Sequence, residues 1–285
     1  MDSRRIETAG GRTKIRVYEG GAGAPLLFLH GAGGLLPDDP FLAALATHFR
    51  VAAPLLPGYE DSEGADSLHG MLDVALWAFD VIDALGLEHP TLVGHSMGGM
   101  IAAEMAALCP REVERLALIA PAGLWLDAHP IPDLFAALPF ELPALLFHDV
   151  ALGAKLLTSG LQLEAMRDAA SGGALQLAAL LERFEDTAFL QRFLIDNARR
   201  LGMAGKLLFP IPERGLAERL YRVRARTVLV WGEADRLIVP AYADAFLRLL
   251  PMARLVRVPE AGHMVPYERP AAVIEAIAGL AAEAA

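Results

Sequence analysis

Short apolar runs without alternation punctuate both ends of the chain, at residues 26–29, 51–53, 91–93, 116–119, 227–231 and 255–258. Strands buried on both faces have this character, because neither side of the pleat meets water. Between several of these runs lie stretches with apolar residues at helical spacing, so the pattern predicts strands alternating with helices and a mostly parallel sheet. Ahead of them, Lys14, Ile15, Arg16, Val17 and Tyr18 alternate polar and apolar after Gly10-Gly11, which predicts an antiparallel N-terminal edge hairpin. The expected fold class is α/β, a three-layer sandwich of helices, sheet and helices.

The clearest helix is expected to start at Ser67 as N-cap. It would place Leu68, Met71, Leu72, Ala75, Leu76, Phe79 and Ile82 on one face, and Gly86 would end it. Further helices are expected over 40–48, 98–108, 241–250 and 270–282. Between Trp125 and about Arg214 the strand runs disappear, and Leu, Ala, Phe and charged residues recur at helical spacing between Pro and Gly breaks. The reading is a helical insertion, 125–214, on the strand-end side of a core formed by 1–124 and 215–285.

Composition removes several function classes. The 285 residues carry 25 Lys plus Arg against 35 Asp plus Glu, a net charge of −10, which would repel phosphate and argues against nucleic acid as partner. The longest purely apolar stretch, 116–126, holds Pro121 and Gly123 and is far short of the ~20 residues that cross a bilayer, so no membrane partner is expected. The basic residues at the N-terminus are not followed by an apolar run, and the lone Cys109 cannot form an internal disulfide. Both features suit a cytoplasmic protein. Cys109 is expected to fill core space behind the helix over 98–108, and Met100 and Met105 read as packing residues.

After the strand run at 91–93 comes Gly94-His95-Ser96-Met97-Gly98-Gly99, followed by a helical run. Gly-x-Ser-x-Gly between a strand and a helix is the nucleophile elbow, where the glycines permit a turn that side chains would block and Ser96 projects from it. A serine hydroxyl needs a base, and His263, in Ala261-Gly262-His263-Met264, follows the last strand run in a loop able to reach over the sheet. The imidazole needs an acceptor to fix its tautomer. Asp235, in Trp231-Gly232-Glu233-Ala234-Asp235, is the first choice and Glu233 the rival. An oxyanion needs backbone donors: Met97 offers one, and the second comes from the loop His30-Gly31-Ala32-Gly33-Gly34, with Ala32 preferred and Gly33 second. His30 reads as a brace for that loop. No His/Cys cluster has metal-ligand spacing, and 31–34 lacks the dinucleotide-binding spacing, so no metal or cofactor is expected.

These motifs together resemble the α/β-hydrolase family: the His-Gly-x-Gly loop (30–33), the Gly-x-Ser-x-Gly-Gly elbow (94–99), the Trp-Gly-x-x-Asp acid loop (231–235) and the Gly-His base loop (262–263). Leu56-Pro57-Gly58-Tyr59-Glu60-Asp61-Ser62 is similar to the family's Pro-Gly-x-Gly-x-Ser turn, with Glu60 where glycine is common. The resemblance covers about 10–124 and 215–282. It implies that 125–214 is the variable helical cap that roofs the active site and sets substrate preference; Trp125, at its start, reads as a core or cap-hinge aromatic and a candidate substrate contact.

The function expected is a cofactor-independent serine hydrolase acting on a small, largely apolar carboxylic ester. Pro121-Ala122-Gly123-Leu124 resembles hydrolases that cleave carbon–carbon bonds in aromatic ring-fission products. Those often carry Asn before the nucleophile and Trp after the base, where this chain has His95 and Met264. Arg183 or Arg192 could bind a substrate carboxylate. A different class is a ligand-binding protein on the same fold whose triad turns over slowly.

Overall fold

The computed structural model describes residues 1–36, 38–159, 187–209 and 213–282. Eight strands form one sheet: β1 (Asp2–Thr8), β2 (Thr13–Gly20), β3 (Pro25–Leu29), β4 (Arg50–Pro54), β5 (Thr91–His95), β6 (Arg115–Ile119), β7 (Arg226–Gly232) and β8 (Ala253–Val258). Their spatial order is β1-β2-β4-β3-β5-β6-β7-β8. The hairpin β1–β2 is antiparallel and joins β4 antiparallel, while every pairing from β4 to β8 is parallel. The strand runs read from the sequence are all present, each extended by one or two residues.

The lack of alternation in these runs has a direct cause. Leu27 and Leu29 of β3 enter one apolar cluster and Leu26 and Phe28 the other. On β7, Leu229 and Trp231 point one way and Val228 and Val230 the other. Each strand therefore needs an apolar residue at every position. The first cluster is covered by α2 (Met71–Ala84), α3 (Met97–Leu108) and α7 (Ala241–Leu249). The second is covered by α1 (Pro40–Leu45) and α9 (Pro270–Ala282). Helices on both faces of a parallel sheet make the three-layer α/β sandwich.

Helix α2 departs from the sequence reading. Ser67 is not its N-cap: the Ser67 hydroxyl donates to Gly64 O at 2.7 Å within a separate turn, and the helix starts after an extended Gly70. The helix also turns a different face inward: Val74, Trp77, Ala78 and Val81, spaced i, i+3, i+4, i+7, meet the core while Leu72 and Leu76 are exposed. Burial of Trp77 is the larger apolar gain and decides the phase. Cys109 also differs: it ends α3 half-buried rather than inside the core.

Between β6 and β7 the described residues contain α4 (Leu142–Leu146), α5 (Val150–Ser159) and α6 (Thr187–Leu208), and no strand. Among the contacts that tie this segment to the rest of the chain are two made by side chains of Tyr242 and Lys206. The Tyr242 hydroxyl on α7 donates to His129 O at 2.8 Å and accepts from Leu126 N–H at 3.0 Å. Lys206 on α6 donates to Ala65 O and Leu68 O at 2.5 and 3.2 Å. Among the described residues no helix is long and apolar enough to cross a membrane.

Candidate active site

Chain order reverses between β3 and β5: the chain passes from β3 out to β4 and returns to the far side of β3. Loops part at such a switch point above the carboxyl ends of parallel strands, which leaves a crevice there. The loop after β3 carries Ala32 and Gly33, and the turn after β5 carries Ser96. Asp235 follows β7 and His263 follows β8, so four loops reach the same end of the sheet.

Ser96 stands at φ 55°, ψ −116°, a backbone state costing on the order of 1–3 kcal/mol. Its surroundings hold it there: Ser96 N–H donates to Ile119 O at 2.9 Å, and Ser96 O accepts from Met100 N–H at 3.1 Å and Ala122 N–H at 3.0 Å. The glycines around it are obligatory for close approach. A Cβ on Gly98 would stand 2.0 Å from Leu29 O, and one on Gly94 would stand 2.3 Å from Gly98 O.

The three predicted side chains meet. His263 Nδ1–H donates to Asp235 Oδ2 at 2.9 Å, and Ser96 Oγ–H donates to His263 Nε2 at 2.9 Å. The tautomer follows from the partner, because a carboxylate only accepts. Asp235 is itself oriented: its Oδ1 accepts from Leu237 N–H and Ile238 N–H, both at 2.9 Å. All three residues are buried, with Ser96 the most accessible at 8%. Glu233, the rival acceptor, is exposed.

The loop after β3 lies against the elbow, since a Cβ on Gly31 would be 3.3 Å from Ser96 Cβ. His30 braces it: Leu56 N–H donates to His30 Nε2 at 3.1 Å, which leaves Nδ1–H to donate to Gly31 O at 2.8 Å. Burial lowers the His30 pKa to about 4, so the ring is neutral. Tyr59 Oη–H donates to Ala32 O at 3.0 Å, and Arg200 reaches Gly33 O at 3.4 Å. Gly33 is exposed, whereas Ala32 is half-buried. Met97 opens α3, so its N–H has no carbonyl four residues back within the helix.

A cavity of about 90 Å³ opens on Ser96. Ala122, Trp125, Leu237 and Ile238 line it beside Ser96, and Ile131 to Phe135, Leu208 and Phe209 line it from the segment between β6 and β7. Its wall is mostly apolar, and among the described residues Asp133 is the one charged lining residue. Trp125 is half-buried there, and its Nε1–H donates to Asp127 Oδ1 at 3.0 Å. Arg183 lies outside the described residues; Arg192 is on α6, and its side chain also lies outside them. Among the described residues no three His, Cys, Asp or Glu side chains gather as a metal site would require.

Two residues here escaped the sequence reading. His95 is buried, and its Nε2–H donates to the carbonyl of His263 at 3.0 Å. Desolvation, with a contribution from the neighbouring His263, lowers its pKa to about 3. The other is Glu268, whose buried carboxylate accepts from Gly262 N–H at 2.6 Å. The available signals were a histidine next to the nucleophile and an acid just ahead of Pro270, and neither names its partner.

A sequence model of the family described as alpha/beta hydrolase fold matches residues 24–270. The chain is 30% identical over 272 residues to the dihydrolipoyllysine-residue acetyltransferase component of the acetoin cleaving system of Pseudomonas putida. That match takes in 91% of this chain but only 64% of the relative's length. It is 26% identical to the 2-hydroxy-6-oxo-6-phenylhexa-2,4-dienoate hydrolase of Burkholderia cepacia, over 90% of this chain and 86% of that one. Among solved structures, a meta-cleavage product hydrolase from Pseudomonas fluorescens superposes with a TM-score of 0.72 at 17% identity, covering 99% of this chain and 98% of that chain.

Proposed function

The chain belongs to the α/β-hydrolase fold family, and on that premise we propose that it is a serine hydrolase cleaving a small, largely apolar carboxylic ester through an acyl-enzyme on Ser96. The observation that carries the reading is the unbroken line Asp235–His263–Ser96, with both contacts at 2.9 Å, opening on an apolar cavity. His263 Nε2 takes the Ser96 hydroxyl proton as Oγ bonds to the substrate's carbonyl carbon. The carbonyl electron pair moves to oxygen, where the N–H groups of Met97 and Ala32 receive it, worth about 3–4 kcal/mol per donor in comparable enzymes. Ala32 is preferred over Gly33 because Gly33 faces solvent. The imidazolium returns the proton to the departing alkoxide, and water, deprotonated by the same nitrogen, then frees the acid.

In this reading residues 125–214 act as a cap that sizes the substrate, supported by the contribution of Ile131 to Phe135, Leu208 and Phe209 to the cavity wall. A second reading, C–C bond hydrolysis of a vinylogous diketone, is favoured by the names of the relatives from Burkholderia cepacia and Comamonas testosteroni, both 26% identical. His95 and Met264 in place of the expected Asn and Trp weigh against it. The test is a series of p-nitrophenyl esters of increasing acyl length together with one dienol ring-fission substrate. Ester turnover with a sharp optimum at short or medium chains supports the first reading; turnover of the dienol alone supports the second.

A further inference from the structure

The peptide that follows the base, and the one that ends at Gly262 just before it, are held by groups from outside the loop. His95 takes the His263 carbonyl, and Met264 N–H donates to Leu146 O at 3.0 Å. On the near side, Glu268 Oε2 accepts from Gly262 N–H at 2.6 Å while its Oε1 accepts from Asp149 N–H at 2.8 Å. Glu268 belongs to the short helix α8 (Val265–Glu268), and its side chain is almost fully enclosed, at 7% exposure. Among the described contacts its carboxylate partners are N–H groups. A buried carboxylate is costly unless its oxygens are filled, so this one is fixed by the two donors it joins.

Those donors belong to different parts of the molecule. Gly262 immediately precedes His263, and Asp149 lies between α4 and α5, in the segment that separates β6 from β7. The two backbones are in direct contact: a Cβ on Gly262 would stand 2.7 Å from His148 N and 2.8 Å from Leu146 O. The glycine of the Gly-His motif is thus required by the seat of residues 146–149 against the base loop.

We propose that Glu268 is a positioning residue that sets His263 by fastening its loop to residues 146–149, so that alignment of the base depends on how that segment is seated. The proposal rests on the reading of His263 as the base. Replacing the carboxylate with the isosteric amide leaves one oxygen to accept and turns an NH₂ toward the second N–H, so one of the two ties is lost.

The experiment compares wild type, Glu268→Gln, Glu268→Asp and His263→Ala on a p-nitrophenyl ester, with functional sites counted by fluorophosphonate titration. For E268Q we expect kcat per titrated site to fall by about 10- to 100-fold, the size of effect a misplacement near 1 Å produces, with KM within about twofold. E268D, which keeps the charge but shortens the reach, should fall between E268Q and wild type. A structural role alone would reduce the titrated fraction and leave kcat per site unchanged; that result, in E268Q or in E268D if E268Q does not fold, overturns the proposal. If H263A is inactive in that case, the base reading survives the loss. If H263A retains turnover, the base reading fails and takes this inference with it.

Discussion

The loops at the carboxyl ends of the parallel strands and the segment between β6 and β7 border one cavity but are determined in different ways. On the loop side, backbone meets backbone: Gly98 lies against Leu29 O, Gly232 against Gly262 O, and Ser96 is held in a strained conformation by three main-chain hydrogen bonds. Such contacts tolerate few residue types, so they leave motifs in the sequence. On the segment side, the cavity is closed by side chains such as Leu134, Phe135 and Leu208, which other apolar residues could replace. The same region leaves Leu138, Phe140, Leu194, Ile195 and Phe209 exposed. In the proposed function, reaction type is thus set by the loops, and substrate preference by a region whose composition constrains it only loosely.

Changes on the loop side should be large and indifferent to substrate. Asp235→Asn keeps the shape but presents an NH₂ or a weaker acceptor to His263 Nδ1, so we expect kcat to fall by about 10⁴-fold on every ester in the series, with Tm little changed. Steady-state kinetics across the acyl series checks this. A loss confined to one chain length would mean that the acid acts on substrate rather than on the base.

The loop side should also govern acid stability. His30 and His95 are buried and neutral when folded, with pKa values near 4 and 3, yet in the unfolded chain both protonate near 6.5. The unfolded state binds the extra protons, so stability is whole above about pH 6.5 and is lost as pH falls toward 4 and 3. The slope is about 1.4 kcal/mol per pH unit for each histidine. Urea melts at pH 7 and pH 5 would measure it, and an unchanged midpoint would contradict burial of both rings.

The smallest effect is expected across the cavity. Phe135→Ala should lower kcat/KM for the best short-chain ester by about 10-fold and move the optimum to a longer acyl group, while turnover of the new optimum stays near wild type. A uniform loss over all chain lengths would erase the contrast between the two regions.

The same contrast explains what the sequence made legible. The strands were readable because a sheet covered on both faces demands apolar residues at consecutive positions, and the elbow because Gly94 and Gly98 have no substitutes there. Glu60 shows the logic in reverse: it occupies φ +47°, the conformation that makes glycine common in its turn, and its carboxylate accepts from the Tyr18 hydroxyl at 3.3 Å. Less legible was anything set by distant pairing. The phase of α2 depended on where Trp77 could be buried, not on the count of leucines. The ion pair of buried Glu104 with Arg219, at 2.5 and 3.0 Å, joins α3 to the chain ahead of β7 across 115 residues. Glu268 and His95 belong to this group, because their meaning lies in the peptide groups they touch and not in any spacing along the chain.

The proposed reaction requires Ser96 to act as a nucleophile whose proton passes to His263. Incubating the protein with a fluorophosphonate, digesting it and locating the adduct by mass spectrometry tests this directly. The account predicts a single phosphonylated peptide bearing the adduct on Ser96, no adduct in Ser96→Ala, and labelling slowed by orders of magnitude in His263→Ala. An adduct on another residue, or labelling of H263A at the wild-type rate, would contradict it.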